Sequence, residues 1–171
     1  MRPGDELAPL EIPVTRTLIV SGAIASRDYQ DVHHDAELAR QKGSPDIFMN
    51  ILTTNGLVGR YVTDRVGPRA VLRKVAIRLG APNYPGDTMV LRGTVTSIRG
   101  GDGGGTGAGG SVAEIRITGA NGIGTHVTGT VTVTLPTPTD PSLTDLTPTA
   151  SSLADPSPTA SHPPSETEGI R

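Results

Sequence analysis

The 171-residue sequence contains no cysteine and no tryptophan. The first absence excludes disulfides, zinc–thiolate sites and a cysteine nucleophile. The second leaves Tyr29, Phe48, Tyr61 and Tyr84 as the aromatic residues, so a core must be built from Val, Ile, Leu and Ala. A small domain with such modest side chains often completes its burial against a second subunit. Neither sign of charge dominates: 15 Lys and Arg oppose 17 Asp and Glu, for a formal net charge of -2. That balance excludes the basic footprint of a nucleic-acid partner. No run approaches the ~18 apolar residues of a membrane span. The stretch MRPGDELAPLEIPV carries no apolar signal core, and the expectation is a cytoplasmic protein without a membrane partner.

What is present divides the chain in two. From Thr137 to Arg171 the sequence is rich in Pro, Thr and Ser and shows no apolar period, which predicts a disordered tail. Residues 1–136 remain for one domain. Within it, PVTRTLIVSGAIA reads as a strand-like entry followed by a short helix from about Thr17. Asp35 is placed to cap AELARQ, and Gly43 to close it. Ile47, Ile51, Leu52, Leu57, Val58, Tyr61 and Val62 recur at helical spacing until Gly67-Pro68, predicting a central helix over 50–66. Its poor helix formers Thr53, Thr54, Gly56 and Gly59 suggest close packing on a sheet. Strands are predicted over 70–79, 88–99, 111–118 and 125–135, in a β meander, with GGDGGGTGAGG (100–110) as a flexible connection. One buried helix followed by long antiparallel strands points to an α+β domain whose sheet wraps the helix.

The chemistry concentrates in RDYQDVHHD, residues 27–35. Three readings are open. Asp and His side chains can ligate a metal, although neighbours such as His33 and His34 in an extended loop point apart. The segment can equally be a polar turn ending in the Asp35 cap. Or a histidine beside a carboxylate can accept and return a proton near neutral pH. Asp28 and His33, five residues apart, can converge in a curved loop. Elsewhere the plain readings lead. Arg60, Arg65, Arg73 and Lys74 read as solvated surface charges before phosphate ligands, and His126 reads as exposed on the threonine face of the last strand. The glycine-rich segment lacks the Lys-[Ser/Thr] of a phosphate loop.

DYQDVHHD resembles the Asp-x-Asn-Pro-[Leu/Ile/Val]-His-x-Asp motif of the MaoC-like, R-specific enoyl-CoA hydratases. Asp28, Val32, His33 and Asp35 match it, while Gln30 and Asp31 replace the usual Asn and Pro. DIFMNILTT resembles the family's Ile-x-His-Gly-aliphatic-aliphatic-Thr segment, with Met49 in place of the His and Asn50 in place of the Gly. NYPGDTMVLRGTV resembles the turn that enters a long strand of its hot-dog fold. The likeness covers roughly residues 10–135. It is nearer still to the actinobacterial subfamily that hydrates the enoyl-CoA of steroid side-chain degradation.

The resemblance implies a single hot-dog domain and an enoyl-CoA hydratase acting in cholesterol catabolism. Asp28 and His33 would be its acid–base pair, with the enolate oxygen received by a backbone N–H near Asn50. Met49, Thr53 and Asn55 join Asn50 as candidate oxyanion and substrate-binding residues, although helix packing is the plainer role for Thr54 and Asn55. No cofactor or metal is expected, since the CoA thioester is the substrate. The implied partners are a second MaoC-like hot-dog subunit in an α2β2 heterotetramer and, through it, a downstream thiolase-like aldolase. A 3-hydroxyacyl-ACP dehydratase subunit, a non-catalytic hot-dog partner and a thioesterase are the alternatives on this fold.

Overall fold

The computed structural model describes residues 1–100 and 110–135. The connection at 101–109 and the segment 136–171, for which flexibility and disorder are expected, lie outside the described residues. In chain order the elements are β1 (Glu6–Pro13), α1 (Arg16–Ala25), a 3-10 turn (Asp31–His33), α2 (Ala36–Gln41), α3 (Ile51–Val66), β2 (Val71–Leu79), β3 (Thr88–Arg99), β4 (Val112–Ala120) and β5 (Thr125–Thr134). The strands form one antiparallel sheet in the order β1-β3-β4-β5-β2. This is the expected α+β architecture, with two corrections.

The strand expected at Pro13 lies upstream, at Glu6–Pro13, and Arg16–Ala25 is wholly helical, capped by Thr15 Oγ1 accepting from Leu18 N at 3.0 Å. β1 carries two prolines and a register shift between Leu7 and Leu10, so it shows no alternation; an edge strand tolerates both. The meander holds for β3, β4 and β5, but β2 crosses the sheet to pair with β5. Register shifts interrupt all four ladders. Such bulges bend and twist strands, which lets a five-stranded sheet curve round a helix.

α3 is that helix. Val58, Tyr61 and Val62 are fully buried against Leu91, Val95, Ile115, Ile117 and Val131 of the sheet. The expected close approach is made by other glycines than Gly56 and Gly59. A Cβ at Gly93 on β3 would sit 3.1 Å from the Tyr61 ring, and one at Gly22 on α1 would sit 2.2 Å from Thr53 Oγ1. Gly56 has open space, and Gly59 makes only an ordinary contact with Leu72. The Tyr61 hydroxyl donates to Leu7 O at 3.3 Å, which ties the helix to the edge strand. Among the described residues, no helix is long and apolar enough to cross a membrane.

Candidate active site

Asp28 is aimed by the end of α1. Arg27 N donates to Ile24 O at 3.0 Å and Asp28 N to Ala23 O at 2.9 Å, the two bonds of a Schellman close. Arg27 occupies the left-handed position, at φ +57°, that glycine usually fills. A residue with a Cβ is disfavoured there by about 1 kcal/mol. Arg27→Gly is therefore expected to raise the thermal midpoint by about 2–4 °C, read by calorimetry. An unchanged or lower midpoint contradicts that account of the turn.

The chain then tightens into the 3-10 turn, closed by His33 N donating to Gln30 O and His34 N to Asp31 O, both at 3.0 Å. Asp35 caps α2 as expected, accepting from Glu37 N and Leu38 N at 2.9 and 3.0 Å. His34 is turned outward, its Nε2 3.1 Å from Tyr29 O. Asp31 pairs with Lys42 at 2.6 Å, and that ammonium holds its carboxyl below the usual range. What remains facing inward is Asp28 and His33, with Oδ2 and Nε2 3.3 Å apart.

The His33 tautomer follows from its other nitrogen. Nδ1 lies 2.7 Å from Phe48 O. A carbonyl only accepts, so Nδ1 carries the hydrogen, and the neutral ring presents a bare Nε2 lone pair beside Asp28. His33 is 5% exposed, and its ring packs edge-on to Phe48. This is the geometry of a positioned base.

Asn50 completes the constellation. It is the N-cap of α3, its Oδ1 accepting from Thr53 N at 2.9 Å. Its Nδ2 donates to Asp28 Oδ2 at 3.1 Å and to Ser26 Oγ at 2.9 Å. One amide thus caps the central helix and clamps the carboxylate. Among the described residues, no acceptor meets the backbone N–H of Asn50 or Ile51. Both residues line the cavity, at the helix end where the dipole favours negative charge.

That cavity has a volume of about 280 Å³ and takes in Asp28, Gln30, His33, Asn50 and His126. Phe48, Met49, Ile51, Leu79, Ala81 and Pro82 supply its apolar wall. Met49 is buried there, held by its N–H on Asn83 O at 3.1 Å. Thr53 lies elsewhere, wedged against Gly22 between α1 and α3, and its hydroxyl has no partner among the described residues. Asn55 is half-buried on α3 and is not part of the cavity wall. Among the described residues, no group of three or more His, Asp or Glu is arranged to hold a metal.

His126 corrects the sequence expectation. Alternation along β5 puts it on the threonine face, yet it is 1% exposed. The reason is a bulge. Ala120 pairs with Thr125 and Gly119 with Val127, so His126 is an extra residue in β5, turned inward beside the buried Val127. Burial pushes its pKa below the ordinary histidine value, only partly offset by Ala81 O. Above about pH 6.5 this site contributes its full stability. As pH falls below that, the unfolded chain takes up a proton that the folded site resists, and stability drops until the lowered folded pKa is reached. Melting from pH 8 to pH 5 should show a smaller acid-side loss in His126→Gln than in the wild type. Parallel curves would show that His126 is not held neutral.

The MaoC like domain family matches residues 2–114. The chain belongs to the MaoC-like family. It is 43% identical over 132 residues to the 3-oxo-4,17-pregnadiene-20-carboxyl-CoA hydratase beta subunit of Mycobacterium tuberculosis, covering 77% of this chain and 95% of that one. It superposes on a chain of the ChsH1–ChsH2 complex from Mycobacterium tuberculosis with a TM-score of 0.70 and 43% identity, over 78% and 97% of the two chains. The (R)-hydratase from A. caviae involved in PHA biosynthesis superposes with a TM-score of 0.69 over 80% and 98% of the chains. At 18% identity that second likeness speaks for the fold alone. The MaoC-like chain has the expected hot-dog fold, and by its 43% identity to a hydratase subunit it is an enzyme of the hydro-lyase class.

Proposed function

We propose that this MaoC-like chain is the catalytic subunit of an enoyl-CoA hydratase acting on a steroid side-chain thioester. One observation carries the chemistry: Asp28 and His33 meet at 3.3 Å in a cavity that also holds the N-terminus of α3. The hydratase beta subunit at 43% identity supports the substrate class.

In this reading one water sits between the pair. Asp28 accepts a hydrogen bond from the hydrogen the water keeps, and His33 Nε2 takes the other as a proton while the oxygen bonds to the β-carbon. The C=C electrons move toward the thioester, and the enolate oxygen accepts from the free N–H groups at Asn50 and Ile51. The proton returns to the α-carbon, leaving a 3-hydroxyacyl-CoA and the pair as it began. Positioned acid–base groups contribute about 10²–10⁴-fold. One oxyanion donor is worth on the order of 3 kcal/mol. Because the donor is backbone, Asn50 can serve where the family motif has Gly. Met49 and the apolar wall would face the acyl chain. The balance of atoms calls for no cofactor.

The site is proposed to be completed by a second hot-dog subunit in an α2β2 heterotetramer. The likeness to a chain of a two-protein complex supports this. So do Ile24, Ile51 and Leu52, apolar and exposed on α1 and α3. A thiolase-like aldolase reached through the partner would take up the product, and a CoA-linked pathway of this kind places the enzyme in the cytoplasm.

The test is to co-purify the chain with candidate hot-dog subunits and follow the enoyl-thioester absorbance on a panel of acyl-CoA and acyl-ACP substrates. Loss of absorbance on steroid enoyl-CoA is expected. Turnover confined to acyl-ACP would make it a dehydratase subunit, and release of free CoA would make it a thioesterase. No turnover with any partner would leave it a non-catalytic subunit.

A further inference from the structure

His126 lines the cavity, yet neither ring nitrogen is available to a substrate. Nδ1 lies 2.6 Å from Ala81 O and Nε2 2.9 Å from Thr54 Oγ1. The carbonyl requires a hydrogen on Nδ1, so the neutral ring accepts at Nε2. Thr54 Oγ1 also lies 3.4 Å from Asn50 O, but it has one hydrogen to give. His126 Nε2, a bare lone pair at the shorter distance, takes it. Asn50 O is already served by Thr54 N at 3.2 Å.

The ring therefore spans three elements. It sits on β5, holds the cavity wall after β2 through Ala81, and holds the first turn of α3 through Thr54. Two backbone bonds fasten the same wall to β5: Gly80 N donates to His126 O at 2.7 Å and Ala81 N to Thr125 O at 2.9 Å. The start of α3 is held to the wall by a backbone bond just before Asn50, Met49 N donating to Asn83 O at 3.1 Å, and among the described residues Thr54–His126 is the side-chain bond that holds the turn itself. Asn50, four residues before Thr54, supplies both the free N–H and the amide that clamps Asp28.

We propose that His126 is a positioning residue which, through Thr54, sets the first turn of α3 against the cavity wall and so fixes where the thioester oxygen is received. This rests on the hydratase reading above. It also explains the bulge in β5, without which the ring would face away from α3.

The test uses the full chain assembled with its second subunit. Thr54→Val keeps the side-chain shape and removes the hydroxyl. His126→Leu removes both ring contacts, and His126→Gln keeps an amide donor and a carbonyl acceptor. Thr54→Val is expected to lower kcat about tenfold with little change in KM, since a misplacement of this order is felt in the transition state. His126→Leu should lose at least as much, the double variant no more than His126→Leu, and His126→Gln should recover most of the rate. Melting of each assembled complex separates this from folding, because a purely structural contact would lower the midpoint and leave kcat per assembled site intact. An active wild type with unchanged kcat in Thr54→Val and His126→Leu, or with losses that multiply, overturns the inference alone. A wild-type complex inactive on every thioester overturns the hydratase reading and the inference with it.

Discussion

Asp28→Asn is expected to lower hydratase turnover of the proposed assembly by about 10²–10⁴-fold, with KM changed far less. The amide has the carboxylate's shape and can still face Asn50 Nδ2, so the clamp at 3.1 Å survives in outline. In the proposed mechanism, what would be lost is the charge that stabilises the imidazolium as His33 takes a proton from water. His33→Ala is expected to cost a similar factor for a different reason. It removes the base, and it strips Phe48 O of the donor now at 2.7 Å. A buried carbonyl left unpaired costs about 1–3 kcal/mol and this part-buried one less, so this variant should also melt earlier while Asp28→Asn should not. Steady-state kinetics together with melting separates the two effects. Near-wild-type rates in both variants would contradict the assignment.

Asn50→Asp is the second large effect, because it divides the two duties of one side chain. Asp caps a helix about as well as Asn, and a negative charge suits a helix N-terminus. The cap should therefore hold, although a carboxyl pKa raised in the folded state lowers stability at neutral pH. The Nδ2 donor, however, becomes a carboxylate oxygen at hydrogen-bond distance from Asp28 Oδ2, where the bond is now 3.1 Å. Two carboxylates that close do not both ionise, and the shared proton raises the pKa of the pair. Turnover at pH 7 should fall by at least about 10²-fold and climb as pH rises, since the ionised pair grows with pH. Asn50→Ala is the control. It loses the cap, about 1 kcal/mol, and the clamp, but adds no charge and keeps the backbone N–H, so its turnover should fall less. A pH–rate profile of Asn50→Asp matching the wild type would show that the Asn50–Asp28 bond does not serve the chemistry.

The parts of this protein that were legible in its sequence are those encoded locally. The helical period placed α3 within a residue of its observed start, and alternation placed β5 within a residue of its observed end. Asp28 and His33 were singled out by the motif resemblance, and their convergence is local, since a Schellman close and a 3-10 turn within residues 23–33 suffice to bring them together. What escaped depends on distant pairing or on broken alternation. β1 is interrupted by prolines and a register shift, and nothing local assigns β2 to β5. The second role of Asn50 rests on a contact 22 residues away. His126 was misplaced because one inserted residue in β5 reverses the face that a period of two assigns. Thr53 and Asn55 sit on the same helix as Asn50, but beyond its first residue the helix turns away from the cavity.

In the function proposed for this chain, Asp28 and His33 add water across a thioester-conjugated double bond. Its most direct test is to run the assembled enzyme on a steroid enoyl-CoA in isotopically labelled water, and to read the product by mass spectrometry and proton NMR. The account predicts an intact 3-hydroxyacyl-CoA with one solvent oxygen at the β-carbon and one solvent hydrogen at the α-carbon, formed at a rate that collapses in Asp28→Asn. Solvent oxygen in a free carboxylate with CoA released, or labelled product formed as fast by Asp28→Asn as by the wild type, would contradict it.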